Sequence, residues 1–174
     1  MESIVIPDTV TTLGEYAFYS THSLKKVTIG NGIKHIGKKT FWYCSKLEYA
    51  EFGDSIESIG DSAFEECMSL KSVSLPNTVK TIGNNAFSGI KATSLDLSHA
   101  KNLTTIGSSA FSSTGIEKLV IPNSVITIGA FAFNECSNLT SVTIPNSVTT
   151  IGNSAFSRCT NLTNITIPDG VASI

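Results

Sequence analysis

The stretch Leu70-Lys71-Ser72-Val73-Ser74-Leu75-Pro76-Asn77-Thr78-Val79-Lys80-Thr81-Ile82-Gly83-Asn84-Asn85-Ala86-Phe87 decides the fold. Val73 and Leu75 alternate with Ser74, the period-two signature of a short strand with one buried face. Pro76 closes that strand, because proline has no amide hydrogen to give to a ladder. Val79 and Ile82 form a second apolar pair that points inward on the return side. Ala86-Phe87 predicts a single helical or 3-10 turn that plugs the core with an aromatic ring. One such unit has nothing against which to bury these side chains. It needs copies of itself.

The copies are present. Ile-Gly pairs, once Leu-Gly, end at Gly14, Gly37, Gly60, Gly83, Gly107, Gly129 and Gly152, in steps of 23, 23, 23, 24, 22 and 23. A phenylalanine follows each glycine by four residues: Phe18, Phe41, Phe64, Phe87, Phe111, Phe133 and Phe156. Self-similarity at such a period marks a solenoid, in which each unit buries its apolar face only against its neighbours. The three-residue strand recurs at 4–6, 27–29, 50–52, 73–75, 95–97, 119–121, 142–144 and 165–167, predicting eight parallel strands, one per coil. Pro7, Pro122, Pro145 and Pro168 follow their strands as Pro76 does; Gly30, Gly53 and Ser98 stand there in the other coils. The repeated glycine is expected either to take a positive φ or to let neighbouring coils approach closely. The seven phenylalanines are expected to form one buried column.

Composition excludes several classes. Charged residues are 15% of the 174, against about 25% in a typical domain. The net charge is −2 and the lysines read as scattered, whereas a phosphate-backbone binder clusters Lys or Arg on one face. No nucleic-acid partner is expected. Membrane insertion is not expected either, since no apolar run approaches the roughly 18 residues of a spanning helix. The chain reads as one domain over 1–174, because the unbroken repeat leaves no linker. Both ends fall in mid-coil, and nothing near Met1 resembles a signal peptide, so an excised segment of a longer repeat protein is expected. Cut coils would leave Ile4, Ile6 and Leu13 at one end, and Ile165, Ile167, Val171 and Ile174 at the other, open to solvent. End-to-end self-association is the expected consequence.

Cys44, Cys67, Cys136 and Cys159 recur three residues after a phenylalanine. Zinc sites want pairs at C-x₂₋₄-C spacing, which these lack. They read as small buried side chains at a fixed core slot. The adjacent-coil pairs Cys44/Cys67 and Cys136/Cys159 leave a disulfide open without implying one. His22, His35 and His99 occupy different slots, and no phosphate loop of the G-x-x-x-x-G-K-[ST] type occurs. No catalytic residue, metal ligand or cofactor is assigned, and an enzyme is not expected. The fourth coil is irregular: shorter before its strand and longer after it, where His99 and Ala100 interrupt the turn. Four sequons, at Asn102, Asn138, Asn161 and Asn164, follow from the repeat wording and would matter only in a eukaryotic secretory pathway.

The full string Leu-x-x-Val-x-Ile-Pro-x-x-Val-x-x-Ile-Gly-x-x-Ala-Phe-x-x-Cys-x-x-Leu resembles the BspA-like class of leucine-rich repeats. Leu139 to Leu162 matches it nearly slot for slot, and the resemblance covers the whole chain. It implies a right-handed leucine-rich-repeat solenoid of about seven 22–24-residue repeats, with parallel strands on one face. It also implies a surface or secreted protein, an adhesin or protein-binding module with no enzymatic activity assigned to the repeat. The string lacks the asparagine ladder that follows the strand in commoner leucine-rich repeats. The shared motif is structural, so it designates no binding residue.

Binding residues must then come from what varies. Outward strand positions stack into rows, and the most varied part of those rows is Lys26, Tyr49 and Glu51, with Asp96 and Lys118 further along. Aromatic and charged side chains of this kind suit a protein ligand. A second candidate lies beside the phenylalanine turn, where Tyr19 and Trp42 share a slot in adjacent coils and Tyr43 follows Trp42. The leading expectation is an adhesion or host-protein-binding module. The alternative is a structural spacer that presents other domains and has no ligand of its own.

Overall fold

The computed structural model describes residues 1–174 as a coil with three sides. In chain order its strands are β1 (Ser3–Ile6), β2 (Lys26–Ile29), β3 (His35–Ile36), β4 (Tyr49–Glu51), β5 (Ser58–Ile59), β6 (Ser72–Ser74) and β7 (Thr81–Ile82). They continue as β8 (Ser94–Asp96), β9 (Thr105–Ile106), β10 (Lys118–Val120), β11 (Thr127–Ile128), β12 (Ser141–Thr143) and β13 (Thr150–Ile151). All pairing is parallel, as a coil that always advances in one sense requires.

The front strands are those read from the alternating pattern. In β6, Val73 is buried while Ser72 and Ser74 face solvent. The expected continuous row of eight is corrected in two ways. The front pairs only as β1-β2-β4, β6-β8 and β10-β12, and residues 165–167 form no strand. A second sheet, unforeseen, runs up the return side in the order β13-β11-β9-β7-β5-β3. Its strands are two residues long, each burying the isoleucine of the Ile-Gly pair, as Ile82 does beside Val79. Bridges Leu13↔Ile36 and Thr150↔Ser173 extend it by one coil at each end.

The third side holds no helix, contrary to the expected helical or 3-10 turn. Alternate amides there have different destinations. Ser62, Phe64 and Glu66 donate to Asn84, Ala86 and Ser88 of the next coil. Ala63, Glu65 and Cys67 donate three residues back, to Gly60, Ser62 and Phe64. A helix would spend every amide along its own axis; here half are needed between coils. Two of the three residues that donate forward are left-handed, Ser62 at φ 55° and Glu66 at φ 59°, and equivalent residues in the other coils take the same form. Of 94 backbone hydrogen bonds, only 15 join residues within the short strands; the rest belong to the turns and to the ladder rungs that flank each strand.

The repeated glycines take the second of their two expected roles. Gly60, Gly83 and Gly107 have no positive φ, but a Cβ on Gly83 would fall 2.8 Å from the carbonyl carbon of Gly60. Behind them the phenylalanines stack in one column, ring centroids 5.0–5.6 Å apart from Phe18 to Phe156. Phe41, Phe64, Phe87, Phe111 and Phe133 are fully buried, and the two end members partly so.

Two further expectations change. Ile6 and Leu13 are 5% and 9% exposed, so the first coil covers them; Ile165 and Ile174, at 38% and 70%, are open as anticipated. A short side-chain ladder does follow the strand: the Asn31 amide donates to Asp8 at 2.6 Å and the Asp54 amide to Asn31 at 2.8 Å. It spans three coils and lies on the exposed surface.

Candidate protein-interaction surface

Strand pairing sets Lys26 beside Tyr49 and Thr28 beside Glu51. Their side chains enter two adjacent groups of contacts, one around Glu51 and one around Tyr49. Lys26 Nζ lies 2.7 Å from Glu51, and the Thr28 hydroxyl donates to the same carboxylate at 2.7 Å. These two partners hold the Glu51 carboxyl below its ordinary value, Lys26 contributing most. Lys71, one coil further, donates to the Tyr49 hydroxyl at 3.0 Å, lies over its ring at 4.8 Å and pairs with Glu48. Those contacts, led by Glu48, raise the Lys71 ammonium above its usual range. This part of the front is varied, exposed and already paired to itself.

Asp96 and Lys118 stand apart from it. They come together at the gap where β8 and β10 fail to pair, lining an open cleft of about 580 Å³. The floor and walls are strand backbone, with Leu95 and Val120 as apolar elements and Glu117 beside Lys118. Asp96 accepts from the Ser98 amide at 2.9 Å and lies 3.6 Å from His99, and the Ser98 contacts, foremost, hold its carboxyl below the ordinary range. Glu117 and Lys118 enter no ion pair, and Val120 is 63% exposed. The coil that β8 opens is the irregular one: Ile106 follows Leu97 by nine residues, where Ile82 follows Leu75 by seven. Sequence reading singled out the fourth coil and Asp96 and Lys118, but not Glu117.

The aromatic candidates do meet. Tyr19 stacks on Trp42 at 5.0 Å, and Tyr43 meets Trp42 edge-on at 5.1 Å. Two residues missed by the sequence reading complete the cluster. Tyr16 contacts both Tyr19 and Trp42, and the Lys39 ammonium lies 3.8 Å from the Trp42 ring centre. Both occupy the left-handed position two residues after the repeated glycine, which no spacing rule had marked as outward. Trp42 is thus engaged by its own chain, with its indole Nε1 buried and unpartnered. Tyr16, Tyr19 and Tyr43 remain 38–47% exposed.

The cysteines are free and buried. Each thiol donates to a phenylalanine carbonyl of the preceding coil: Cys44 to Phe18, Cys67 to Phe41, Cys136 to Phe111 and Cys159 to Phe133, at 3.0–3.2 Å. Burial pushes the Cys44 thiol up to about 11 and also holds the Cys67 thiol well above its ordinary value. No cluster of three or more His, Cys, Asp or Glu able to hold a metal ion occurs, and no helix is long and apolar enough to cross a membrane.

Six coils of one wording, an Ile-Gly return strand and a stacked phenylalanine column define a leucine-rich-repeat solenoid. The chain belongs to the BspA type leucine rich repeat region family, whose model matches residues 1–113 and 104–174 in six copies. It is similar to a leucine-rich repeat protein of T. pallidum, with 28% identity and a TM-score of 0.68 over 98% of this chain and 72% of that one. A leucine-rich repeat protein from Bacteroides ovatus is similar at 26% identity and TM-score 0.69; this chain covers about half of it, 52%. The pneumococcal vaccine antigen PcpA shares the fold at 21% identity and TM-score 0.54, over 99% of this chain and 57% of that one. No curated protein is similar enough to match.

Proposed function

We propose that this chain is a non-catalytic protein-interaction module of a surface or secreted protein, serving adhesion to an extracellular protein through its front face. The observation that carries the reading is the cleft between β8 and β10. There the front sheet breaks, as it also does between β4 and β6, opens about 580 Å³ of space and presents the Glu117 and Lys118 side chains without an ion pair. The neighbouring strands hold those groups in fixed positions, so a ligand gains contacts while little chain is ordered. A partner protein that presents charged side chains to Glu117 and Lys118, with Val120 as an apolar contact, is the occupant this surface suits. Membership in a repeat family of protein-interaction modules supports the same class.

The experiment is a binding screen against extracellular proteins with three versions of the chain: unaltered, Glu117→Lys/Lys118→Glu, and Tyr49→Ala/Glu51→Ala. Binding abolished only by the first pair of changes supports the cleft. Loss only on changing Tyr49 and Glu51 moves the site to the front of the second and third coils. Equal binding by all three removes the front face.

The spacer reading has an observation of its own. The charges at Lys26, Glu48, Glu51 and Lys71 pair within the chain, which suits a rod that holds itself rigid and binds nothing there. A chain that captures no ligand in the screen, yet is needed to project an attached domain, favours the spacer.

A further inference from the structure

The charges of the first four coils are sorted by coil. Divided at the leucine slot, residues 1–23 carry three acids and no lysine or arginine, and residues 24–46 carry six lysines and no acid. Residues 47–69 carry seven acids and no base, and residues 70–92 three lysines and no acid. The lysines that read as scattered are half of the chain's twelve basic residues gathered in one coil. The remaining residues, 93–174, hold only four acids and three bases.

Five ion pairs link these coils, and every one crosses a coil junction. Glu2 pairs with Lys25 at 2.9 Å, Lys26 with Glu51 at 2.7 Å, and Lys71 with Glu48. Glu57 takes Lys34 from the coil before at 3.4 Å and Lys80 from the coil after at 2.7 Å. All are solvent-exposed, and exposed pairs add little to stability, with a median near 0–1 kcal/mol. Holding the coil together is therefore not what distinguishes them.

Choosing the neighbour is a different matter. Phe41, Phe64 and Phe87 occupy one core slot, as do Ile36, Ile59 and Ile82, so the core cannot tell which coil should follow the second. A stack that looped out residues 47–69 would keep phenylalanine on phenylalanine and isoleucine on isoleucine. It would also set Lys25 opposite Lys71 and Lys34 opposite Lys80. Each of these lysines stands one residue before a strand, where like charges brought opposite repel as they do within a sheet, and penalising the alternatives specifies register where packing does not.

We infer that the alternating coil charges act as a register code, selecting the order in which near-identical coils stack. The code operates at the three junctions of residues 1–92. Beyond them, Glu135–Arg158 is the one cross-coil ion pair, and the coils there differ instead in length.

Two deletions of one 23-residue coil test this, each preserving the spacing of core slots. Removing residues 47–69 joins the two lysine coils, whereas removing residues 116–138 joins two coils of low charge. At low salt the first variant is expected to melt several degrees below the second. The gap should close in about 1 M salt, where the Debye length is roughly 3 Å. Equal melting points, or a gap indifferent to salt, would overturn the inference. Should the first deletion not fold at any salt concentration, substitutions in the full chain decide. Glu48→Lys/Glu51→Lys/Glu57→Lys should strip hydrogen-exchange protection from residues 47–69 at low salt, while the three glutamine counterparts leave it nearly intact. Equal protection in the two triple variants would sink the idea.

Discussion

The Cβ that Gly107 lacks would stand 2.6 Å from the carbonyl carbon of Gly83. No side chain can be fitted there without moving backbone, so each Ile-Gly pair sets the closest approach of two coils. Gly14 has no atom within 4 Å of the same position. Gly107→Ala is therefore expected to destabilise by about 1–3 kcal/mol, the range for overpacking, and Gly14→Ala to be close to neutral. Denaturant titration of the two variants side by side checks the contrast.

The aromatic column should show the same dependence on position. Phe87 is fully buried between Phe64 and Phe111, whose ring centroids lie 5.2 and 5.3 Å away. Phe87→Ala should cost roughly 3–5 kcal/mol. Phe156→Ala, at the partly covered end of the column, should cost visibly less. Equal losses would mean that burial of the ring is not what the column contributes.

Left-handed backbone recurs twice per coil and, except at Gly89, falls on residues with side chains that disfavour it. Ser109, at φ 54°, is one. A left-handed residue other than glycine costs about 1–2 kcal/mol, partly offset by the greater chain entropy that glycine loses on folding. Ser109→Gly should raise stability by about 0.5–1 kcal/mol. Ser109→Val, with a branched Cβ, should lower it. The midpoints of urea unfolding give both signs directly.

Acid should act on the first four coils before it acts elsewhere. Glu57 is held below its ordinary value of 4.5 by Lys80 foremost and Lys34, and Glu51 likewise by Lys26 and Thr28. With the folded values depressed, the unfolded chain binds more protons once pH nears 4.5. The contribution is thus present above that value and lost as pH falls through the folded ones. Protonation also leaves the lysines of residues 24–46 without counter-charges. Hydrogen exchange between about pH 6 and pH 3 should show protection failing first in residues 24–92. The same series in high salt should show a smaller difference between the two halves.

How much of this was legible in the sequence differs from slot to slot. Val73, Ile82 and Phe87 could be placed in the core from spacing alone. A repeat fixes which side chains face inward as soon as each coil must bury itself against the next. Family membership rests on the same spacing. The Thr81–Ile82 strand could not be read that way. Two residues have no strand character by themselves and acquire it only when Ser58–Ile59 and Thr105–Ile106 lie alongside.

The turn beside Phe87 failed for a related reason. Ala86-Phe87 suits a helix locally, but the amides of Asn85, Phe87 and Gly89 are taken by carbonyls of the next coil. The surface divides in the same manner. Lys26, Tyr49, Glu51, Asp96 and Lys118 were visible as departures from the repeat, and only the stacked coils separated a self-paired network from an open cleft. Whether β8 and β10 pair is decided by backbone distance, which residue types alone do not show. Sequence therefore determined which residues lie inside and how often the chain turns. Tertiary structure decided what each outward residue meets, because its neighbours are 23 residues away along the chain and one coil away in space.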